Sequence, residues 1–186
     1  FDVDAILNGI RSWVEIETPT EAPEQINQLV TMVADGYGGL PAKIERIAGK
    51  HGRGDHLIAR SAWGQDKPGI LVLSHLDTVH PMGFIKRLPF RVEGDAAFGP
   101  GIYDMKGGAY LALHALRQLV REGRETPLKV TFLIVPDEEI GSMTSPEAIG
   151  RWIEGAIGML SITAQWLLAR RRVESWFLWI LVDLIA

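Results

Sequence analysis

Apolar residues at three- and four-residue spacing predict amphipathic helices near the amino terminus. A second helix begins at Pro23 or Glu24 and ends near Gly36 and the pair Gly38-Gly39, because glycine is common at helix ends. Thr18-Pro19-Thr20 separates it from the first helix. The apolar face of the first helix consists of Val3, Ile6, Leu7, Ile10, Trp13 and Val14.

Two continuous apolar runs predict strands that are buried on both faces. They are Gly69–Ser74 and Leu128–Val135, both rich in branched side chains. Lys43–Ile47 and His56–Ala62 are predicted as further strands, and a leucine-bearing helix over Met105–Glu122 lies between the buried runs. Alternating strands and helices predict an α/β fold, a three-layer αβα sandwich around a mixed, mostly parallel sheet.

The composition is that of a globular domain. Of 186 residues, 47% are hydrophobic and 23% are charged, which is enough to bury a core and excludes intrinsic disorder. The formal net charge of −4 argues against a nucleic-acid-binding protein. The chain has no cysteine, so disulfides, thiolate metal sites and cysteine nucleophiles are excluded. Chemistry must therefore come from histidine, carboxylate and other oxygen or nitrogen groups.

Polar side chains occur at three points where predicted strands end or a helix begins. His75 and Asp77 follow the first buried run and project to the same side, because they are two residues apart on an extended backbone. Asp104 lies in the glycine-rich loop Gly99–Gly108, which matches neither phosphate-binding signature. Asp137–Glu139 follows the second buried run. A single α/β sheet would bring these groups together.

Each cluster also has a purely structural interpretation. The pair of His75 and Asp77 alone fits a hydrogen-bonded turn, and Asp137–Glu139 alone fits a solvated acidic loop. The occurrence of all three at strand ends or a helix start favours a metal site. Imidazole and carboxylates without thiolate suit zinc, or a harder divalent ion, in a hydrolytic centre.

The three motifs strongly resemble those of the co-catalytic zinc peptidases. This family includes glutamate carboxypeptidase, aminoacylase, acetylornithine deacetylase and succinyl-diaminopimelate desuccinylase. The resemblance rests on Ser74–Val79, Gly101–Gly108 and Asp137–Ser142, and Met82-Gly83 and Leu88–Gly94 place it nearest the glutamate carboxypeptidases. It covers roughly residues 3 to 153 and implies a zinc-peptidase-like catalytic domain.

The resemblance implies a role for each matching residue. His75 would bind one zinc ion, and Asp77 would orient its imidazole ring. Asp104 would bridge two zinc ions, and Glu139 would bind the second; cobalt or manganese are expected substitutes. Glu138 would be the general base that takes a proton from a metal-bound water before attack on an amide carbonyl. In the family the peptide bond after the bridging acid, here between Asp104 and Met105, is often cis.

The chain departs from the family pattern after the third motif. The family site needs an acidic ligand about two dozen residues beyond the Glu pair, and the window 160–166 contains no carboxylate. It also needs a late histidine, but none follows His114. We also expect this chain to lack the domain through which, as the resemblance implies, family members dimerise and bind substrate carboxylates. We therefore expect residues 1–154 to be a truncated amino-terminal part of the catalytic domain, inactive by itself.

Residues 155–186 form an atypical apolar tail with three interpretations. A transmembrane helix is disfavoured, because the run after Ser175 is short and contains Asp183. An amphipathic or buried helix is a second interpretation. A frameshifted or replaced carboxyl terminus is favoured, because the composition changes where the family has another strand and a ligand.

The leading functional hypothesis is a zinc-dependent carboxypeptidase or amidohydrolase that acts on a small peptide or an N-acyl amino acid. The alternatives are a non-catalytic interaction protein that retains the scaffold and a fragment without its own function. A cytoplasmic location is expected, with neither nucleic acid nor membrane as a partner. Lys106 is expected to cap or pack beside the Asp104 loop. The other four histidines are expected on the surface or in helices: His51, His56, His80 and His114.

Overall fold

The computed structural model describes residues 2–64 and 69–144. Within these residues the helices and strands follow the predicted order. The helices are α1 (Val3–Val14), α2 (Pro23–Tyr37) and α3 (Gly107–Arg121), and the strands are β1 (Ala42–Ile47), β2 (His56–Ser61), β3 (Ile70–His75), β4 (Arg91–Glu93), β5 (Ala96–Phe98) and β6 (Val130–Val135).

Local sequence explains where the helices begin. Asp2 caps α1, because its side chain accepts a hydrogen bond of 3.0 Å from the backbone N–H of Ala5. Pro23 occupies the first turn of α2, where its missing N–H costs nothing. Helix α3 begins at Gly107 rather than at the predicted Met105, because Asp104 and Met105 have non-helical backbone angles.

The main sheet has the strand order β1-β2-β6-β3. Strands β3 and β6 are parallel, whereas β1 pairs with β2, and β2 with β6, in antiparallel fashion. The predicted mixed sheet is confirmed, but "mostly parallel" is wrong for these four strands. The physical reason is the connections: the loop over residues 48–55 reverses the chain between β1 and β2, whereas β3 and β6 are joined by a long crossover that contains α3.

The helices of the described residues all pack on one face of this sheet. The core there joins Trp13 of α1, Leu29 of α2 and Leu113 of α3 to Phe132 of β6. The opposite face carries a separate buried cluster of Ile58, Leu73, Leu133 and Val135. Residues 2–64 and 69–144 therefore account for two of the three predicted layers.

The parallel pairing sets the position of the polar motifs. His75, the last residue of β3, lies opposite Val135, the last residue of β6. The segments that leave these strands therefore emerge at the same sheet edge, where active sites of α/β proteins form. None of the helices in the described part of the chain is long and apolar enough to cross a bilayer. The tail, its boundary at residue 155 and the window 160–166 lie outside the described residues.

Candidate metal centre

One donor from each of three chain segments meets at the carboxyl ends of β3 and β6. His75 ends β3, Asp104 belongs to the loop before α3, and Glu139 lies in the 3-10 turn Glu138–Ile140 after β6. Their nearest donor atoms all lie within 4.8 Å of one another. The structure thus brings together the three side chains that sequence analysis proposed as metal ligands.

The imidazole of His75 is buried and held at both ring nitrogens. Nε2 lies 2.8 Å from Oδ1 of Asp104, and Nδ1 lies 3.1 Å from the backbone oxygen of Asp77 and 3.3 Å from its Oδ1. Burial by itself lowers the pKa of His75, but the hydrogen bonds to Asp104 and Asp77 raise it to about 10. A metal ion at Nε2 would therefore have to displace a proton.

Asp77 is a buried residue that contacts His75 and the backbone of both Glu138 and Glu139. It is fully shielded from solvent, and each of its carboxylate oxygens has two neighbours. Oδ1 accepts a hydrogen bond of 3.1 Å from the N–H of Glu138 and faces Nδ1 of His75. Oδ2 accepts one hydrogen bond of 3.1 Å from the N–H of Glu139 and another of 2.8 Å from the hydroxyl of Thr20. One carboxylate therefore links the imidazole to the loop that carries both glutamates.

The two candidate carboxylate ligands have opposite electrostatic environments. The hydrogen bond from His75 lowers the pKa of Asp104, so this exposed side chain stays ionised. Burial raises the pKa of Glu139; the charge of His75 opposes this effect, and the neighbouring charges of Asp104, Asp77 and Glu138 add to it. A cation placed between these carboxylates would relieve their mutual repulsion.

The Asp104 loop turns tightly at Gly101. Gly101 has φ of 65°, and a Cβ at this position would collide with Cγ2 of Thr78. The peptide bond between Asp104 and Met105 is cis, as the resemblance implies.

Glu138 stands beside the cluster and faces a small cavity. Its side chain is 48% exposed, and Oε2 lies 3.8 Å from Nε2 of His75. The cavity has a volume of about 120 Å³ and opens at the strand ends. Its lining consists of Leu73, Ser74, His75, Asp104, Met105, Val135, Glu138 and Ser142. Glu138 therefore lies where it can contact a small molecule that enters the cavity.

Asp137 is separate from the two glutamates that follow it. It is fully buried and accepts hydrogen bonds of 2.7 Å and 2.8 Å from the N–H and hydroxyl of Thr144. The interpretation of Asp137–Glu139 as one solvated acidic loop is therefore wrong for its first member. The physical reason is that the Asp137 carboxylate binds Thr144 at the other end of the same loop. Glu138 and Glu139 instead lie near His75.

The segment between α1 and α2 supports the site, although its sequence predicts only a helix break at Thr18-Pro19-Thr20. In the structure this segment runs beside the residues that follow β3: the Thr18 hydroxyl donates to the Leu76 oxygen at 2.6 Å, and the Thr78 N–H donates to the Thr18 oxygen at 2.8 Å. These partners are close to 60 residues apart in the chain, so no local pattern could have signalled them.

The remaining histidines lie outside the cluster. His51 is exposed, His80 stacks on Phe84, and His114 lies in α3 as expected, although it is only 8% exposed. The expectation for His56 is wrong: it is 1% exposed at the start of β2. The physical reason is that β2 is an interior strand of the sheet, between β1 and β6.

Lys106 is buried beside the Asp104 loop, as expected, and its environment predicts a pH-dependent stability. Its Nζ donates a hydrogen bond of 2.6 Å to the backbone oxygen of Ile16, and burial lowers the pKa of Lys106 to about 7. Between that pH and the pKa of an unfolded lysine, the unfolded chain binds more protons at this residue, so the contribution of Lys106 to folding stability rises with pH, whereas that of His75 falls as pH approaches its raised pKa. We therefore expect the free energy of unfolding of the wild type, taken relative to that of Lys106→Met, to rise by on the order of a few kcal/mol above neutral pH in urea titrations at successive pH values.

Lys86→Met is the matched control for Lys106→Met, because it removes the same charge from an exposed side chain. Its free energy of unfolding should stay within about 0.5 kcal/mol of the wild type. If the difference in free energy of unfolding between the wild type and Lys106→Met did not rise above neutral pH, the predicted contribution of the buried lysine would be wrong.

Comparison with known proteins agrees with this geometry. Residues 71–179, more than half of the chain, match the model of peptidase family M20/M25/M40. The chain belongs to this family. The resemblance to co-catalytic zinc peptidases is thereby confirmed, as is the α/β fold class.

Relatives within family M20/M25/M40 include two named enzymes. Carboxypeptidase G2 of Pseudomonas sp. (strain RS-16) is 42% identical over 153 residues, which cover 78% of this chain and 35% of that protein. A succinyl-diaminopimelate desuccinylase of Gluconobacter oxydans is 33% identical over 94 residues, covering 48% of this chain and 24% of that protein. The chain thus spans about a third or less of the length of these family members.

Two solved structures show the same fold. Human carnosine dipeptidase 1 superimposes with a TM-score of 0.69 at 18% sequence identity, over 78% of this chain and 34% of that one. An M20 family metallo-carboxypeptidase from Sulfolobus solfataricus gives a TM-score of 0.65 at 20% identity, over 83% of this chain and 35% of that one.

Proposed function

We propose that this chain forms the metal-binding part of a hydrolase that cleaves an amide bond in a small peptide or an N-acyl amino acid. The observation that carries the proposal is the cluster of His75, Asp104 and Glu139, whose donor atoms lie within 4.8 Å of one another. Membership in a peptidase family and the names of its relatives, a carboxypeptidase and a desuccinylase, support the same reaction class.

The donor set fits zinc. One imidazole nitrogen and two carboxylate oxygens are typical zinc ligands, and the second ring nitrogen of His75 already faces a carboxylate, as in many zinc-binding histidines. In this proposal His75 and Asp104 hold one ion, and Asp104 and Glu139 hold a second; cobalt or manganese would be substitutes. A bound zinc ion would supply Lewis acidity and lower the pKa of water.

Glu138 is proposed as the group that moves the proton. Its carboxylate faces the cavity, lies outside the three-donor cluster and is 3.8 Å from Nε2 of His75. Its backbone N–H is fixed by Asp77, so the side chain is held where an attacking water would enter. Oε2 of Glu138 would accept a proton from that water and later deliver it to the leaving amide nitrogen.

The ligand count leads us to propose that the chain by itself is inactive. Each of two ions would have two of the three donors found among residues 2–64 and 69–144. Catalytic zinc usually has three protein ligands and one open position. The purified chain should therefore bind zinc weakly and should not hydrolyse amides.

Replacing the 153 aligned residues of Carboxypeptidase G2 by this chain's residues tests the proposal. We expect the chimera to hydrolyse an N-acyl amino acid in a zinc-dependent manner, and the isolated chain to show no hydrolysis. His75→Ala should abolish both zinc binding and hydrolysis in the chimera. His51→Ala removes an exposed histidine as the control and should change neither.

Two results would contradict the proposal. A folded chimera that binds zinc without hydrolysing any N-acyl amino acid or dipeptide would exclude the proposed reaction. Zinc-dependent hydrolysis by the isolated chain would exclude its proposed inactivity and would place further ligands within it.

A further inference from the structure

Thr20 places a hydroxyl group against the buried carboxylate of Asp77. The residue is 3% exposed, and its Oγ1 donates a hydrogen bond of 2.8 Å to Oδ2 of Asp77. The backbone fixes the position of Thr20, because the preceding residue, Pro19, forms an isolated parallel β-bridge with Thr78. The hydroxyl is therefore a fixed donor on the side of Asp77 that is remote from His75.

The contacts of Asp77 make its orientation matter for three other residues. Oδ1 faces Nδ1 of His75 at 3.3 Å and accepts from the N–H of Glu138, while Oδ2 accepts from Glu139. Rotation of the carboxylate plane would alter all of these contacts together. Among the described residues, Thr20 contributes the one side-chain hydroxyl recorded on this carboxylate, so it opposes that rotation.

We infer that Thr20 is a positioning residue for the metal-binding cluster and acts through Asp77. The inference rests on the proposed function, since it concerns the same site. Thr20 is not one of the three donors of the cluster, and its recorded hydroxyl contact is with Asp77. Its hydroxyl holds the carboxylate that orients the His75 ring and the backbone of Glu138 and Glu139.

Isosteric substitution separates this role from simple packing. Thr20→Val keeps the shape and removes the hydroxyl, whereas Thr20→Ser keeps the hydroxyl. In zinc titrations of the chain, Thr20→Val should weaken zinc binding by about 10-fold, the lower end of the range for residues that orient metal ligands. Thr20→Ser should restore binding to within about 2-fold of the wild type, because the hydrogen bond is kept.

Thr126→Val is the matched control. Thr126 Oγ1 is hydrogen-bonded as well: it accepts from Trp63 Nε1 and donates to the Leu128 oxygen, but it lies before β6, at the opposite end of the sheet. The control loses a hydroxyl by the same chemical change. We expect it to lower stability without changing zinc affinity.

A readout in the metal-free chain keeps this inference distinct from the proposed function. Long-range ¹H–¹⁵N spectra report the protonation and hydrogen bonding of the His75 ring nitrogens. Thr20→Val should shift these signals, and Thr20→Ser and Thr126→Val should not. If the Carboxypeptidase G2 chimera bound no zinc at His75, the proposed function would fail, yet this shift would still establish the positioning role. A folded Thr20→Val protein with unchanged His75 signals and unchanged zinc affinity would overturn the inference.

Discussion

Glu138→Gln is expected to lower kcat for amide hydrolysis by about 10²- to 10⁴-fold while zinc binding is kept. Glutamine has nearly the same shape but cannot accept the proton of the attacking water. Zinc binding should persist, because Glu138 lies outside the cluster of His75, Asp104 and Glu139. The measurement compares kcat and zinc content of the Carboxypeptidase G2 chimera with and without the substitution.

Glu125→Gln is the control for this experiment. It makes the same change at an exposed position in the loop before β6, far from the cavity. Its kcat should equal that of the unsubstituted chimera. A Glu138→Gln chimera that retained zinc and full kcat would assign the proton transfer to another group. Loss of zinc in that variant would instead make Glu138 a ligand.

Asp77→Asn is expected to weaken zinc binding by about 10- to 100-fold and to lower the free energy of unfolding by about 3 kcal/mol. The carboxylate accepts hydrogen bonds at both oxygens from Thr20, Glu138 and Glu139. The amide group would direct its N–H₂ at one of these donors, and the His75 ring could lose its negatively charged partner. Zinc titration and urea unfolding of the metal-free chain measure the two effects.

Asp95→Asn separates the effect of burial from that of charge. Asp95 lies in the exposed turn between β4 and β5, so its substitution should change stability by no more than about 0.5 kcal/mol. If Asp77→Asn bound zinc as tightly as the wild type, the carboxylate would have no part in orienting His75. Unchanged stability would show that the buried hydrogen bonds tolerate the amide.

Hydrophobic periodicity was sufficient to predict the three helices and the four strands of the main sheet, but not the short strands β4 and β5. The apolar stripe of α1 and the continuous runs that become β3 and β6 are local patterns, and burial of apolar surface is the main force that fixes them. The direction of the strands, in contrast, could not be predicted from hydrophobic periodicity. Nothing in the local pattern of β2 shows whether it lies parallel or antiparallel to β6, because that choice depends on the path of the connections. The prediction of a mostly parallel sheet was therefore wrong for the described strands.

The candidate ligands could be found in the sequence because each follows a strand or begins a helix. His75 and Glu139 come after β3 and β6, and parallel pairing places those strand ends together. The supporting groups could not be found in this way. Thr20 and Lys106 act through contacts with residues 57 and 90 positions away in the chain.

The sequence by itself determined the elements, the family and the residue types of the candidate site, because periodicity and short motifs are encoded locally. Tertiary structure alone decided which acid of Asp137–Glu139 is buried in the scaffold and which two face His75. It also decided that Asp77 connects the imidazole to the glutamate loop, with Thr20 on its other side. The physical reason is that the environment of a carboxylate depends on its spatial neighbours, and these come from segments distant in the chain.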